Sequence, residues 1–209
     1  GRAAHGRPTT RGGMTDPTTA AILDATRASV LDFGVRRTTL TDIARRAGVS
    51  RMTVYRRYPD LEAVLRELMT REFGATLEAT AAAAARDEED GRSRIGRQVT
   101  AGVRELREHP LLRKIVDAEP ELLLLDELGR IGATQRHALT LLSAAVAAGQ
   151  ADGSVRAGDA DVIARGILLA AQSFLFAGAE LDAELERVVD AALAPAGPGG
   201  GARTATAQA

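Results

Sequence analysis

Apolar residues recur at three- and four-residue steps through much of the chain, the spacing that lines one face of a helix. The clearest block is residues 39–58, TLTDIARRAGVSRMTVYRRY. Leu40, Ile43, Ala44 and Ala47 share one face of a first helix. Gly48 tolerates the left-handed backbone that ends a helix and turns the chain. Ser50 is a strong N-cap for a second short helix, because its hydroxyl can accept an otherwise unpaired backbone N–H. In that second helix Val54 and Tyr58 face one way, while Met52, Thr53, Tyr55 and Arg56 point away. Two helices, a tight glycine turn and a cationic outer face predict a helix-turn-helix, whose second helix fits the major groove of DNA.

The same reading organises the rest. Asp16-Pro17 predicts a helix with Asp16 as cap and Pro17 at the first helical position. It buries Ala21, Ile22, Ala25, Ala28, Ser29 and Phe33 and ends at Gly34. Residues 35–38 link it to the helix-turn-helix, with Thr39 as a further cap. Pro59-Asp60 begins a long helix with Leu61, Val64, Leu65, Leu68 and Met69 on its inner face. Phe73, Leu77 and the alanines at 81–85 carry it onward as a connector to the acidic run at 87–90, a solvated loop whose carboxylates lack metal-ligand spacing.

Beyond that loop the pattern is again helical. Ile95, Val99, Val103 and Leu106 mark a helix stopped by His109-Pro110. Pro110 opens a short segment through Val116, and Glu119-Pro120 opens another through Leu125 and Leu128. Residues 130–148 form a long alanine-rich helix closed by Gly149 and the Asp152-Gly153 turn. Asp159 or Asp161 starts the next, running through Ile163, Ile167, Leu168, Ala171, Leu175 and Phe176 to Gly178. A last short helix covers 181–193. The expected organisation is all-α: a flexible arm at 1–15, a three-helix DNA-binding head at 16–60, a helical effector-binding and dimerisation body at 61–194, and a mobile tail at 195–209. Met14 is a candidate start residue, and Arg2, Arg7 and Arg11 of the arm could reach phosphates.

Composition narrows the chemistry. Of 209 residues, 45% are hydrophobic and only 3% aromatic, so the core is built of Ala, Leu, Val and Ile, which favours packed helices over a sandwich or barrel. No run of about 18 apolar residues is present, so no membrane span is expected; nor is there a signal-peptide core. Absence of cysteine removes disulfides and thiolate metal sites and fits a cytoplasmic protein. The net charge of −1 conceals an asymmetry: residues 1–60 hold 11 Arg against five Asp, a net +6, and the remainder is −7. A cationic front on an anionic rear suits a DNA-binding head on a body that does not touch DNA.

With these residues placed, the chain resembles the tetracycline-repressor (TetR) family of bacterial transcriptional regulators. The likeness runs from the helix at 17–33 through Thr38-Thr39-Leu40, Asp42-Ile43-Ala44, Ala47-Gly48-Val49-Ser50, Thr53, Tyr55 and Tyr58 to Glu62 and Leu65, covering roughly residues 17–68. The resemblance implies a homodimer, paired through residues 130–148 and 161–178, that binds a palindromic double-stranded operator and takes a small effector in its body. It also implies repression as the mode of action. It places Thr39 and Tyr55 at phosphate-binding positions and Arg51, Met52 and Thr53 at the start of the recognition helix; Arg57 matches a position near phosphate. Two residues depart from the family pattern. Met52 stands where a small residue is usual, and Leu61 where a phosphate-binding Lys is usual, leaving Arg36 or Arg37 to supply that contact. Independently of the resemblance, Arg56 lies one turn from Met52, opposite Val54, where an Arg can contact guanine O6 and N7 bidentately.

For the body, a mostly apolar cavity with a few polar groups is how small-molecule sites are made. Val103, Leu106, Leu123, Leu124 and Phe176 are candidate apolar lining for a small apolar effector, and His109 and Gln172 are polar candidates; Gln98 and His137 also interrupt the apolar surface. No catalytic residue, metal or cofactor is expected: there is no phosphate loop, and three scattered histidines lack ligand spacing. The competing readings are a DNA-binding regulator without a ligand and a helical adaptor for protein contacts.

Overall fold

The computed structural model describes residues 16–86, 90–118 and 132–195. The arm at 1–15, the acidic residues 87–89, the segment 119–131 that carries Leu123 and Leu124, and the tail from 196 lie outside the described residues. Among those described, all regular structure is helical: α1 (Pro17–Phe33), α2 (Leu40–Arg46), α3 (Arg51–Arg57), α4 (Leu61–Ala84), α5 (Gly91–Glu108), α6 (Pro110–Ala118), α7 (Ala133–Ala151), α8 (Ala160–Leu175) and α9 (Asp182–Leu193), with short 3-10 turns at Val35–Arg37 and Ala179–Leu181.

The chain divides into two compact units between Leu68 and Met69, inside α4. That division lies eight residues beyond the Tyr58-Pro59-Asp60 turn because Val64, Leu65 and Leu68 are buried and belong to the head. Ile22, Leu23 and Val30 of α1, Val35, Ile43 of α2 and Val54 of α3 are likewise almost fully buried. Burying a Val, Leu or Ile side chain contributes about 1.5–3 kcal/mol, so this small head is held by aliphatic packing. Phe33, expected in that core, is 55% exposed: it sits at the last turn of α1, and Val35, just past the Gly34 turn (φ 80°), takes the inward position. Asp16 occupies the cap position of α1, but its carboxylate is turned to Arg57.

In the second unit α5, α7, α8 and α9 enclose a core that includes Ile95, Val99, Val146, Ile163, Ile167, Leu185 and Val189. Asp159, rather than Asp161, caps α8: its Oδ1 accepts the backbone N–H of Asp161 (2.9 Å) and of Val162 (3.2 Å). Gly149 does not close α7, which continues to Ala151. It is the point where α7 crosses the start of α5, and the contact leaves no room for a side chain: a Cβ on Gly91 would collide with the Gly149 Cα. The turn after α7 then closes the α5 N-terminus. The Gly91 N–H donates to Asp152 Oδ2 (2.9 Å) and the Arg92 N–H to Ser154 Oγ (3.0 Å), satisfying donors that a helix start leaves open.

Candidate nucleic-acid interface and cavity

The helix-turn-helix is built by caps. Thr39 Oγ1 accepts the Asp42 N–H (3.1 Å) and donates to Asp42 Oδ2 (2.6 Å), closing the start of α2. Gly48, at φ 67°, makes the turn. Ser50 Oγ accepts the Thr53 N–H at 3.1 Å and starts α3, its hydroxyl 2.8 Å from that of Thr53. Val54 (0% exposed) and Tyr58 (5%) seat the helix on the head, while Met52 stands 75% exposed and Tyr55 49%.

Arg51 and Arg56 are exposed on this outer face, and Arg36 and Arg37 on the preceding 3-10 turn. Among the described residues Arg37, Arg51 and Arg56 make no ion pair or side-chain hydrogen bond, and all three are exposed. Other head arginines differ. Arg46 pairs with Asp32 at 2.6 Å and Arg45 with Asp42 at 3.0 Å. Arg57, grouped with the phosphate contacts on resemblance, reaches back across α1 to Asp16 Oδ2 and Thr19 Oγ1, and the guanidinium holds the Asp16 carboxyl below the ordinary carboxylate range. Arg57 therefore anchors α3 to α1, a role its place beside Arg56 in sequence does not reveal. Thr39 caps α2 and gives its hydroxyl proton to Asp42, while the Thr53 hydroxyl shares a hydrogen bond with the capping Ser50.

The second unit contains a cavity of about 180 Å³. Val103, Leu106, Gln172 and Phe176 all line it. His109 does not. It stands behind the wall, edge-on to Phe73 with ring centroids 5.3 Å apart, and its Nδ1 accepts the Leu111 N–H at 3.2 Å, so it ties α6 to α4. Helix α4, read from sequence only as a connector, supplies Met69, Phe73, Leu77 and Thr80 to the lining. The signal was present: the four-residue step from Met69 through Phe73 to Leu77 continues past the last residue the head requires. Gln98 of α5 and Leu168 of α8 line it as well. Among the described residues, no Arg, Lys, His, Asp or Glu lines the cavity.

Val162 (67% exposed) and Leu169 (60%) on α8, and Phe176 (57%) at its C-cap, follow one another at seven-residue steps. Beside them α7 exposes Thr140, Ala144, Ala147 and Ala151, mostly small side chains. The two helices pack on each other. Among the described residues no helix is long and apolar enough to cross a membrane.

Comparison with known proteins agrees with this geometry. The family model described as bacterial regulatory proteins, tetR family, matches residues 22–68, which span α1 to the first half of α4. An HTH-type transcriptional regulator of Mycobacterium tuberculosis is 36% identical over 165 residues, covering 79% of this chain and 84% of that protein. The fold is shared with RolR, determined without ligand (TM-score 0.69, 13% identity, 85% of this chain and 91% of that one) and also in complex with resorcinol. It is shared too with AlkX, a TetR family repressor from Dietzia implicated in biodegradation of n-alkanes (TM-score 0.66, 20% identity, 86% and 96%).

Proposed function

The chain belongs to the tetR family of bacterial regulatory proteins, helix-turn-helix transcriptional regulators rather than enzymes, and from that premise we propose that it is a homodimeric repressor, released from a palindromic operator by a small apolar effector. The observation that carries the DNA half is the outer face of α3. Arg51 and Arg56 lie there with no partner among the described residues, beside Met52 at 75% exposure. Three long side chains are left in water on a helix whose opposite face is fully seated. In this reading Arg56 and Met52 read base edges, guanine and a thymine methyl respectively. Tyr55, Arg36 and Arg37 approach phosphates, and Thr39 and Thr53 donate their hydroxyl protons to phosphate oxygens, Thr39 by exchanging its bond to Asp42 for one to DNA.

Dimerisation through α7 and α8 would cover the Val162–Leu169–Phe176 stripe with the same stripe of a second copy, as a two-fold interface requires. Small residues on α7 let helix backbones approach. The cavity in the body is the effector site, and α4, which lines it with Phe73 and Leu77, is the lever. A ligand shifts DNA affinity only by its differential affinity for the two conformations. That AlkX is a repressor and that RolR binds resorcinol in the same fold support the reading by analogy. The protein works in the cytoplasm, where its DNA lies.

Incubating the purified protein with fragmented genomic DNA of its source and sequencing what is retained tests this. A recovered palindrome with half-sites about one helical turn apart, or a multiple of it, is expected. Retention of fragments without a shared sequence would overturn the reading.

A further inference from the structure

The lining of the cavity selects its ligand more sharply than apolarity alone. Gln98 is 9% exposed, and its amide lines the cavity without a hydrogen bond to any described residue. Its amide atoms are not among the described polar atoms sealed away without a partner, so they are open to the cavity and can bond what enters it. Thr80, also 9% exposed, lines the same wall. A Cβ on Gly102, one helical turn along α5 from Gln98, would lie 3.7 Å from Thr80 Oγ1. The Thr80 hydroxyl proton is committed to the Leu77 carbonyl at 3.0 Å, so its oxygen offers the cavity lone pairs only. The pair therefore presents one N–H donor group, from Gln98, and two acceptors, from Gln98 and Thr80. Every other polar side chain on the described lining (Thr134, Gln135, Gln172) is neutral.

We infer that the effector site is built for an uncharged, amphiphilic molecule of about ten non-hydrogen atoms, whose polar end both donates and accepts hydrogen bonds at Gln98 and Thr80. This deepens the assignment of the cavity as the effector site and rests on it. Size follows from the cavity volume, somewhat larger than the roughly 150 Å³ cavity that holds benzene in an engineered protein. Charge follows from the lining. A carboxylate only accepts, so it would face the lone pairs of Thr80 and the Gln98 carbonyl, and among the described lining residues it would meet no cation, so that burying it there costs far more than burying a neutral head. An amide or hydroxyl head meets both needs.

Octanamide and octanoate have the same chain length and number of heavy atoms and differ in whether the head can donate and carries charge. Calorimetric titration of the full chain at pH 7.5 with each is the test, repeated on Gln98→Leu. Octanamide is expected to bind at least about tenfold more tightly than octanoate, and Gln98→Leu to weaken octanamide about tenfold, the size of one neutral hydrogen bond. Since Gln98 has no partner to lose, the variant should fold as the parent does by circular dichroism, and the comparison of the two ligands on the parent needs no variant. Octanoate binding as tightly as octanamide, no binding of either at 1 mM, or unchanged octanamide affinity in Gln98→Leu would each overturn the inference. Operator release separates this claim from the one beneath it. Release by octanoate alone sinks the ligand class and leaves the regulator standing, whereas octanamide binding without release keeps the ligand class and sinks the effector role.

Discussion

Replacing Gly149 by alanine puts the packing account at risk in sign as well as size. In a solvated helix interior the change stabilises by roughly 1 kcal/mol, because glycine is the poorer helix former. Here a Cβ would lie 2.5 Å from Val155 Cγ2 and 3.3 Å from Val155 Cβ, where carbon contacts normally settle near 3.5–4.0 Å. Val155 is 4% exposed, its N–H is bonded to the Gly149 carbonyl at 3.0 Å, and a β-branched side chain has few rotamers to retreat into. Over-packing of this kind costs about 1–3 kcal/mol, so the net effect is destabilisation of roughly 0–2 kcal/mol, or a loss of up to about 8 °C in Tm at roughly 2–4 °C per kcal/mol. The assay is thermal unfolding of Gly149→Ala, Val155→Ala and the double variant. Removing the Val155 methyls should return the Gly149→Ala effect to stabilising, a positive coupling between two residues in contact. A single Gly149→Ala variant that melts above the parent, with no coupling to Val155, would refute the close packing of Val155 on Gly149.

Arg56→Ala should leave Tm unchanged, since no intramolecular partner is lost, and cost about 1–3 kcal/mol per half-site, hence about 2–6 kcal/mol for the dimer, roughly 30- to 20,000-fold in operator Kd by fluorescence anisotropy; Tyr55→Phe should weaken all duplexes alike. Leu169→Glu places a charge in the middle of the apolar stripe on α8, and light scattering should show a monomer that keeps its helical content. Acid stability should also respond to the turn that closes α5. Hydrogen bonds from Ser154, with the Gly91 N–H adding to them, hold the Asp152 carboxyl below its ordinary value, and those from Ser93 do the same for Asp90. A depressed pKa contributes stability above the ordinary aspartate value of about 3.9 that is lost as pH falls through the lowered one. Melting temperature of the parent should therefore drop below about pH 4, and Asp152→Asn should flatten that drop while lowering Tm at neutral pH.

What could be read from the sequence was what is encoded within about four residues. Ser50 capping Thr53, Thr39 capping Asp42, Gly48 turning the chain, and Val54 and Tyr58 sharing a side are all local, and each holds in the structure. Such features follow from helical geometry and backbone hydrogen bonding before any tertiary contact forms. Pairings across long separations were not legible. Arg57 stands 41 residues from Asp16, and nothing near either distinguishes Arg57 from the unpaired Arg56. Gly149 carries the ordinary signature of a helix end, and only the approach of Gly91 shows it to be a crossing. The cavity was half visible for the same reason: Val103, Leu106, Gln172 and Phe176 fall on inward faces, whereas His109 is drawn out of the lining by Phe73 and the start of α6.

Chemical protection of guanine N7 on the recovered operator tests the central claim most directly, because N7 is reachable only from the major groove. The account predicts two protected clusters related by the operator dyad, at least one guanine of which becomes reactive again with Arg56→Ala while the rest stay covered. Bound operator with every N7 as reactive as in free DNA would contradict it, since α3 could not then lie in that groove.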